Sequence, residues 1–335
     1  MKGMELSKQY FKEYGLSMLE EKFPDLMPML AAGLTGSGSE CFGFDDEISQ
    51  DHDFEPGFCI FLPGDVTKDN VTCFVNNDDK LKVTVDLEKN YEKLKFQLQR
   101  EYDKLPAEYM GFKRPKLQPV GGNRRGVIHI EDFFKGKCGS PDGNLDVYGW
   151  LSVPEYSLAE AVNGEIFLDN LGLVTSIREK LSAYPPDIRL KKLAGYLLIM
   201  AQAGQYNYGR CVDRGESAAA QMAVYKFVEA GMHVIFLLNR KYMPYYKWSF
   251  KALKTLDRLG NMYDSLEFLI SSDNDGKRAN TKLEMIEDMA ALIIRELKAD
   301  GVTDAVCNDL EKHAYSVNDH IKDGNLRNLD IFSGV

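Results

Sequence analysis

The chain has 335 residues, 44% of them apolar and 27% charged, which excludes a wholly disordered polypeptide and leaves room for two packed units. A formal net charge of −10 opposes the phosphate backbone of DNA or RNA, so a long nucleic-acid partner is disfavoured. No uninterrupted apolar run approaches the roughly 20 residues of a bilayer span, and the polar amphipathic opening is unlike a secretory signal, so a cytoplasmic protein with no membrane partner is expected. The six cysteines, at 41, 59, 73, 138, 211 and 307, lack CxxC or zinc-ligand spacing and read as reduced and structural.

In chain order, Leu6, Tyr10, Tyr14, Met18 and Leu19 mark one face of an opening helix over about Glu5–Glu21. Ala31–Thr35 is an apolar strand running into Gly36-Ser37-Gly38-Ser39. Gln50–Leu62 alternates and is rich in aromatics, with a bend at Pro56-Gly57, and 65–86 reads as a hairpin or insertion turning at Asn76–Asp79. Lys89–Leu105 has helical charge spacing, and Gly126–Phe134 reads as a buried strand. From Pro154 strand signals almost vanish, and helical periods follow over Ile188–Ala203, Ala218–Leu238, Lys247–Leu259, Lys282–Leu297 and Asp304–His320. The expected class is α+β, a mixed sheet flanked by helices followed by an all-helical part, with the boundary near residue 155.

Gly36–Phe54, GSGSECFGFDDEISQDHDF, carries the chemistry. On a strand, Asp51 and Asp53 project to one face and His52 to the other. Paired carboxylates repel unless a cation lies between them, and hard oxygen ligands of this kind suit magnesium, which takes its remaining ligands from water and phosphates. The small residues upstream let backbone N–H groups approach a phosphate.

A strand, Gly-Ser, three residues, Gly and then Asp-x-Asp resembles the nucleotidyltransferase superfamily that includes DNA polymerase β and the aminoglycoside nucleotidyltransferases. The matching residues are Gly38-Ser39, Gly43 and Asp51-His52-Asp53; Gly36-Ser37 also precedes the acidic pair, but only Gly38-Ser39 puts a glycine at the next family position. The segments Gly164–Asp169, Tyr184–Arg189 and Leu238–Trp248 resemble an uncharacterised bacterial branch described as domain of unknown function DUF4037. The resemblance implies a catalytic domain over 1–155 and a helical substrate- or nucleotide-binding domain over 156–335. It also implies one Mg2+ held by Asp51 and Asp53 to clamp the triphosphate and a second Mg2+ to lower the acceptor hydroxyl's pKa, and transfer of a nucleoside monophosphate, AMP from ATP as the first expectation, to a hydroxyl of a small molecule or protein side chain. The acceptor is expected between the two domains. The superfamily's third carboxylate is assigned to Glu131, with Asp132 as fallback, unless both belong to a turn or cap before Phe133-Phe134.

An NTP carries several negative charges, and cations to meet them are sought in the helical half. Lys247, Lys251, Lys254 and Arg258 recur at helix spacing, either as a solvated face or as a wall meeting the triphosphate, with Lys247 the leading contact and Arg240 just before it. Arg214, in Asp213-Arg214-Gly215-Glu216, either belongs to a helix cap or reaches the phosphates. If no carboxylate serves as base, the alternative is a catalytically weak nucleotide-binding or partner-binding pseudoenzyme.

Overall fold

The computed structural model describes residues 1–47, 54–64, 87–114 and 124–335, and backbone alone for 87–92. Asp51, His52 and Asp53, the expected hairpin or insertion over 65–86 and the first four residues of the strand expected over Gln50–Leu62 lie outside the described residues; of the remainder of that stretch, Cys59–Leu62 is strand. The architecture is α+β.

Unit 1 comprises Met1–Asn144 and Glu160–Ser182. Helix α1 (Gly3–Tyr10) continues through a π-helical turn (Phe11–Gly15) into α2 (Leu16–Lys22), and its apolar stripe, Leu6, Tyr10, Phe11 and Leu19, is buried. Strand β1 (Ala31–Leu34) pairs antiparallel with β2 (Cys59–Leu62). Helix α3 (Leu87–Asp103) and a short hairpin, β3 (Glu108–Tyr109) with β4 (Phe112–Lys113), precede β5 (Gly126–His129), which lies parallel to β2. Phe58, Ile60 and Leu62 join the helix stripe, Leu98 and Tyr102 in one core.

The strand expected over Gly126–Phe134 stops at His129, and helix α4 (Ile130–Cys138) follows at once. Ile130, Phe133, Phe134 and Cys138 are buried at helical spacing, acids occupy the first turn and lysines the last, and Gly139 closes the helix at φ 79°. Helical period and terminal charge outweigh the Ile-His-Ile alternation that suggests a strand. A second departure is β6 (Glu165–Asp169), beyond the point where strand signals fade. It pairs antiparallel with β1 and completes the order β5-β2-β1-β6. Helix α5 (Val147–Ser152) precedes α6 (Glu155–Val162), in which the division between the units falls, and α7 (Leu173–Lys180) follows β6.

Unit 2 comprises Leu145–Ala159 and Ala183–Val335. Its axis is α8 (Pro186–Met200), extended by a π-helical segment (Ala201–Tyr208) and the short α9 (Gly209–Asp213). It packs against α10 (Ser217–Leu238) and against α14 (Leu310–Asp319), which follows α11 (Tyr246–Leu253), α12 (Tyr263–Ser271) and α13 (Gly276–Ala299). Among the described residues α10 alone is long and apolar enough to cross a membrane, and 67% of its apolar window is buried in the fold, as in a core helix. The expected helix over Lys247–Leu259 ends at Leu253, so the basic stripe is interrupted: Arg258 lies past the helix, paired with Glu296 at 2.8 Å and Asp300 at 2.9 Å.

Candidate functional site

Strand β1 delivers the chain into a half-buried loop of small residues. Gly36 and Gly38 have φ of 102° and 128°, a region that side chains with a Cβ rarely enter, and a Cβ on Gly38 would meet the Glu40 carboxylate at 2.5 Å. The loop is held from β6's side of the sheet. Gly36 N donates to Asn163 Oδ1 at 2.8 Å, Asn163 Nδ2 donates to Gly36 O at 2.8 Å, and Thr35 donates to Asn163 O at 2.8 Å.

The two serines differ. The Ser37 hydroxyl donates to Glu160 at 2.9 Å and accepts from Lys137 at 3.2 Å, and Lys137 and Glu160 form an ion pair. The Ser39 hydroxyl has no partner among the described residues and caps nothing, although Ser39 is the N-cap of a 3-10 turn (Glu40–Phe42) that Gly43 closes at φ 72°. The N–H groups of Ser37, Gly38, Ser39 and Glu40 likewise have no acceptor among the described residues, whereas those of Cys41, Phe42, Gly43 and Phe44 are satisfied within the turn. Adjacent free N–H groups in a left-handed glycine loop form a concavity for an anion.

Beneath the loop, Glu40 and Arg125 are paired at 2.8 Å with side chains 6% and 8% exposed, and Glu55 lies 3.7 Å from the guanidinium. Burial opposes the charge on Arg125, but Glu40 and the neighbouring anions outweigh it, and its pKa is raised. The same guanidinium neutralises the Glu40 carboxylate, which would otherwise repel an anion in the loop. Asp45 accepts from Gly3 N at 2.8 Å and pairs with Lys2.

Glu131 and Asp132 lie in the first turn of α4 rather than on a strand. Asp132 is exposed, while the Glu131 carboxylate accepts from Gly64 N at 2.5 Å, just past β2. Besides the cations expected in the helical half, Lys137, on α4, reaches the loop itself, 100 residues from Ser37.

Unit 2 holds an open cavity of about 620 Å3. Glu155 accepts from Met243 N at 3.0 Å through one oxygen and bonds His233 Nδ1 at 2.6 Å through the other, and Tyr196 stacks on the imidazole with centroids 4.3 Å apart and planes within 4°. Lys192, on the cavity wall, donates to Leu151 O at 3.3 Å and Gly334 O at 2.6 Å, and burial lowers its pKa. Residues 150–249 match the family model described as Domain of unknown function (DUF4037). The match therefore spans both partners of the Glu155–His233 pair together with Lys192, Tyr196 and Met243. No curated protein and no solved structure matches the chain.

Three further expected phosphate contacts, Lys247, Arg240 and Arg214, lie in the DUF4037 match, and Lys254 of the basic stripe lies just beyond it. Lys247 is exposed, its ammonium 5.0 Å from the Trp248 ring, and Lys254 sits 3.7 Å from the Tyr263 ring. Arg240, exposed at φ 54°, lines a small cavity with Arg189 and Lys241. Arg214 is exposed at the C-cap of α9.

Proposed function

We infer that the chain is a magnesium-dependent nucleotidyltransferase that moves a nucleoside monophosphate, AMP from ATP in the first instance, to a hydroxyl of a small molecule or a protein side chain. The observation that carries this reading is the run of N–H groups from Ser37 to Glu40 that, with the Ser39 hydroxyl, have no partner among the described residues, in the loop that precedes the Asp-x-Asp pair in the sequence.

The donor set around the loop fits a polyphosphate. The Ser37–Glu40 N–H groups and the Ser39 hydroxyl donate to phosphate oxygens, Lys137 places a cation beside them, and Arg125 cancels the Glu40 charge. Asp51 and Asp53 would hold magnesium, which when bound offsets triphosphate charge and lowers the pKa of the acceptor hydroxyl. The acceptor oxygen forms a bond to the α-phosphorus, the bond to pyrophosphate breaks, and the hydroxyl proton passes to Glu131 or to water.

The test is pyrophosphate release from each NTP with magnesium, followed by mass spectrometry of a cell extract labelled with the active nucleotide. Asp51→Ala and Asp53→Ala, with folding checked by circular dichroism, are expected to abolish release; near-wild-type turnover in either would defeat the assignment. The Glu131 contact with Gly64 N favours a second reading, in which the carboxylate is structural and the protein binds nucleotide without turnover. ATP binding without pyrophosphate release would select it.

A further inference from the structure

The Glu155–His233 pair belongs to no step of the transfer reading, yet its chemistry is specific. Glu155 is itself fixed, one carboxylate oxygen taking the Met243 N–H and the other the imidazole Nδ1. A carboxylate on Nδ1 selects the tautomer with its proton there and leaves Nε2 as the acceptor. Tyr196 stacks on the ring and fixes its plane. His233 Nε2 then has no partner among the described residues, and the side chain lines an open cavity of about 620 Å3.

The cavity's rim is aromatic. Tyr245 stands edge-on to Tyr156 with centroids 5.6 Å apart and tilts against Tyr246 at 4.5 Å, and all three rings are more than 40% exposed. Among the described residues Lys192 is the one lysine that lines the cavity, and it is committed to backbone carbonyls. Polar and apolar groups both line the cavity, with Glu229 on its wall, and a concavity of this size that presents aromatic surface together with an oriented imidazole acceptor has the form of a small-molecule site. Rings offering their faces and edges suit a planar ligand, and an imidazole acceptor selects one that bears a hydroxyl.

We propose that this cavity binds a small, neutral, planar-ring ligand carrying a hydroxyl group, which donates its hydrogen bond to His233 Nε2 while the ring packs on the Tyr156, Tyr245 and Tyr246 rim. The site lies within unit 2 and does not depend on the transfer reading.

Phenol serves as the probe and anisole, of the same shape but without the donor, as its control, with affinities measured by ligand-observed NMR on the full chain. Phenol is expected to bind about tenfold more tightly than anisole, the worth of one hydrogen bond. His233→Phe is expected to remove that preference while anisole still binds, and Tyr245→Ala to weaken both probes. In the wild-type protein, which needs no substitution to fold, the 15N resonance of His233 Nε2 is expected to shift with phenol and not with anisole. Equal affinities for the two probes in the wild type, an unmoved Nε2 resonance, or a preference that survives His233→Phe would overturn the proposal.

Discussion

Arg125→Met tests what holds the Gly36–Glu40 loop. The guanidinium and the Glu40 carboxylate are 2.8 Å apart with side chains 8% and 6% exposed, so neither is appreciably solvated. At that separation and an effective dielectric constant near 20, the attraction is about 6 kcal/mol, against which both ions have lost hydration. Methionine keeps the length and apolar stem of arginine but leaves Glu40 buried without its cation. Losing one partner of such a pair costs roughly 3–5 kcal/mol, a large part of a stability that is commonly about 5–15 kcal/mol. Because Glu40 directly follows Ser39, the loss is expected to be local: amide hydrogen exchange in peptides covering 36–47 and 124–129 should speed up by about a hundred- to several-thousandfold, with smaller changes in peptides from α13. The double variant Glu40→Gln, Arg125→Met removes both charges and should recover at least half of the loss. A cost below about 1 kcal/mol for Arg125→Met, or a double variant no better than the single one, would refute this account.

The two serines of the loop should separate binding from stability. Ser39→Ala is expected to weaken ATP binding about ten- to a hundredfold, the worth of a hydrogen bond to a charged group, while Ser37→Ala, which breaks the link to Glu160 and Lys137, should cost roughly 1 kcal/mol of stability and leave ATP affinity within about threefold. Calorimetric titration of both variants decides it, and a larger loss of affinity at Ser37 would move the register to Gly36-Ser37. Burial pushes the Cys59 thiol up to about 11 and raises Cys41 and Cys138 as well, so all three remain protonated at pH 8.5 and should resist iodoacetamide in the folded protein, whereas the exposed Cys307 is alkylated before them. Labelling of Cys59 at a rate near that of Cys307 at pH 8.5, followed by peptide mass spectrometry, would contradict the burial argument.

What the sequence disclosed follows from the range of the interactions involved. β1 was legible because an apolar run ends in small residues, and α10 and α13 because many turns repeat one buried face. At Ile128–Asp132 the local pattern misleads, since Ile-His-Ile satisfies strand alternation while Ile130, Phe133 and Phe134 satisfy a helix, and only packing decides. β6 is five residues long, and every one of them is half-buried, so neither alternation nor an apolar run announces it. Lys137 reaches Ser37 across 100 residues and Glu155 reaches His233 across 78, and no spacing within one sequence encodes such meetings. The Gly-Ser segment, by contrast, is local and appears as a loop after β1, with left-handed glycines at Gly36, Gly38 and Gly43.

The pairing of β1 with β6 also constrains how the polypeptide matures on the ribosome. Ala31–Leu34 emerges early, but its partner, Glu165–Asp169, is made more than a hundred residues later, after the chain has left unit 1 at Asn144 and begun unit 2. Until then one edge of β1, in a wholly apolar four-residue strand, has no hydrogen-bonding partner, and such an edge is where nascent chains associate with one another. A nascent chain halted before residue 165 should therefore lean on chaperones, and release from them should coincide with the synthesis of β6.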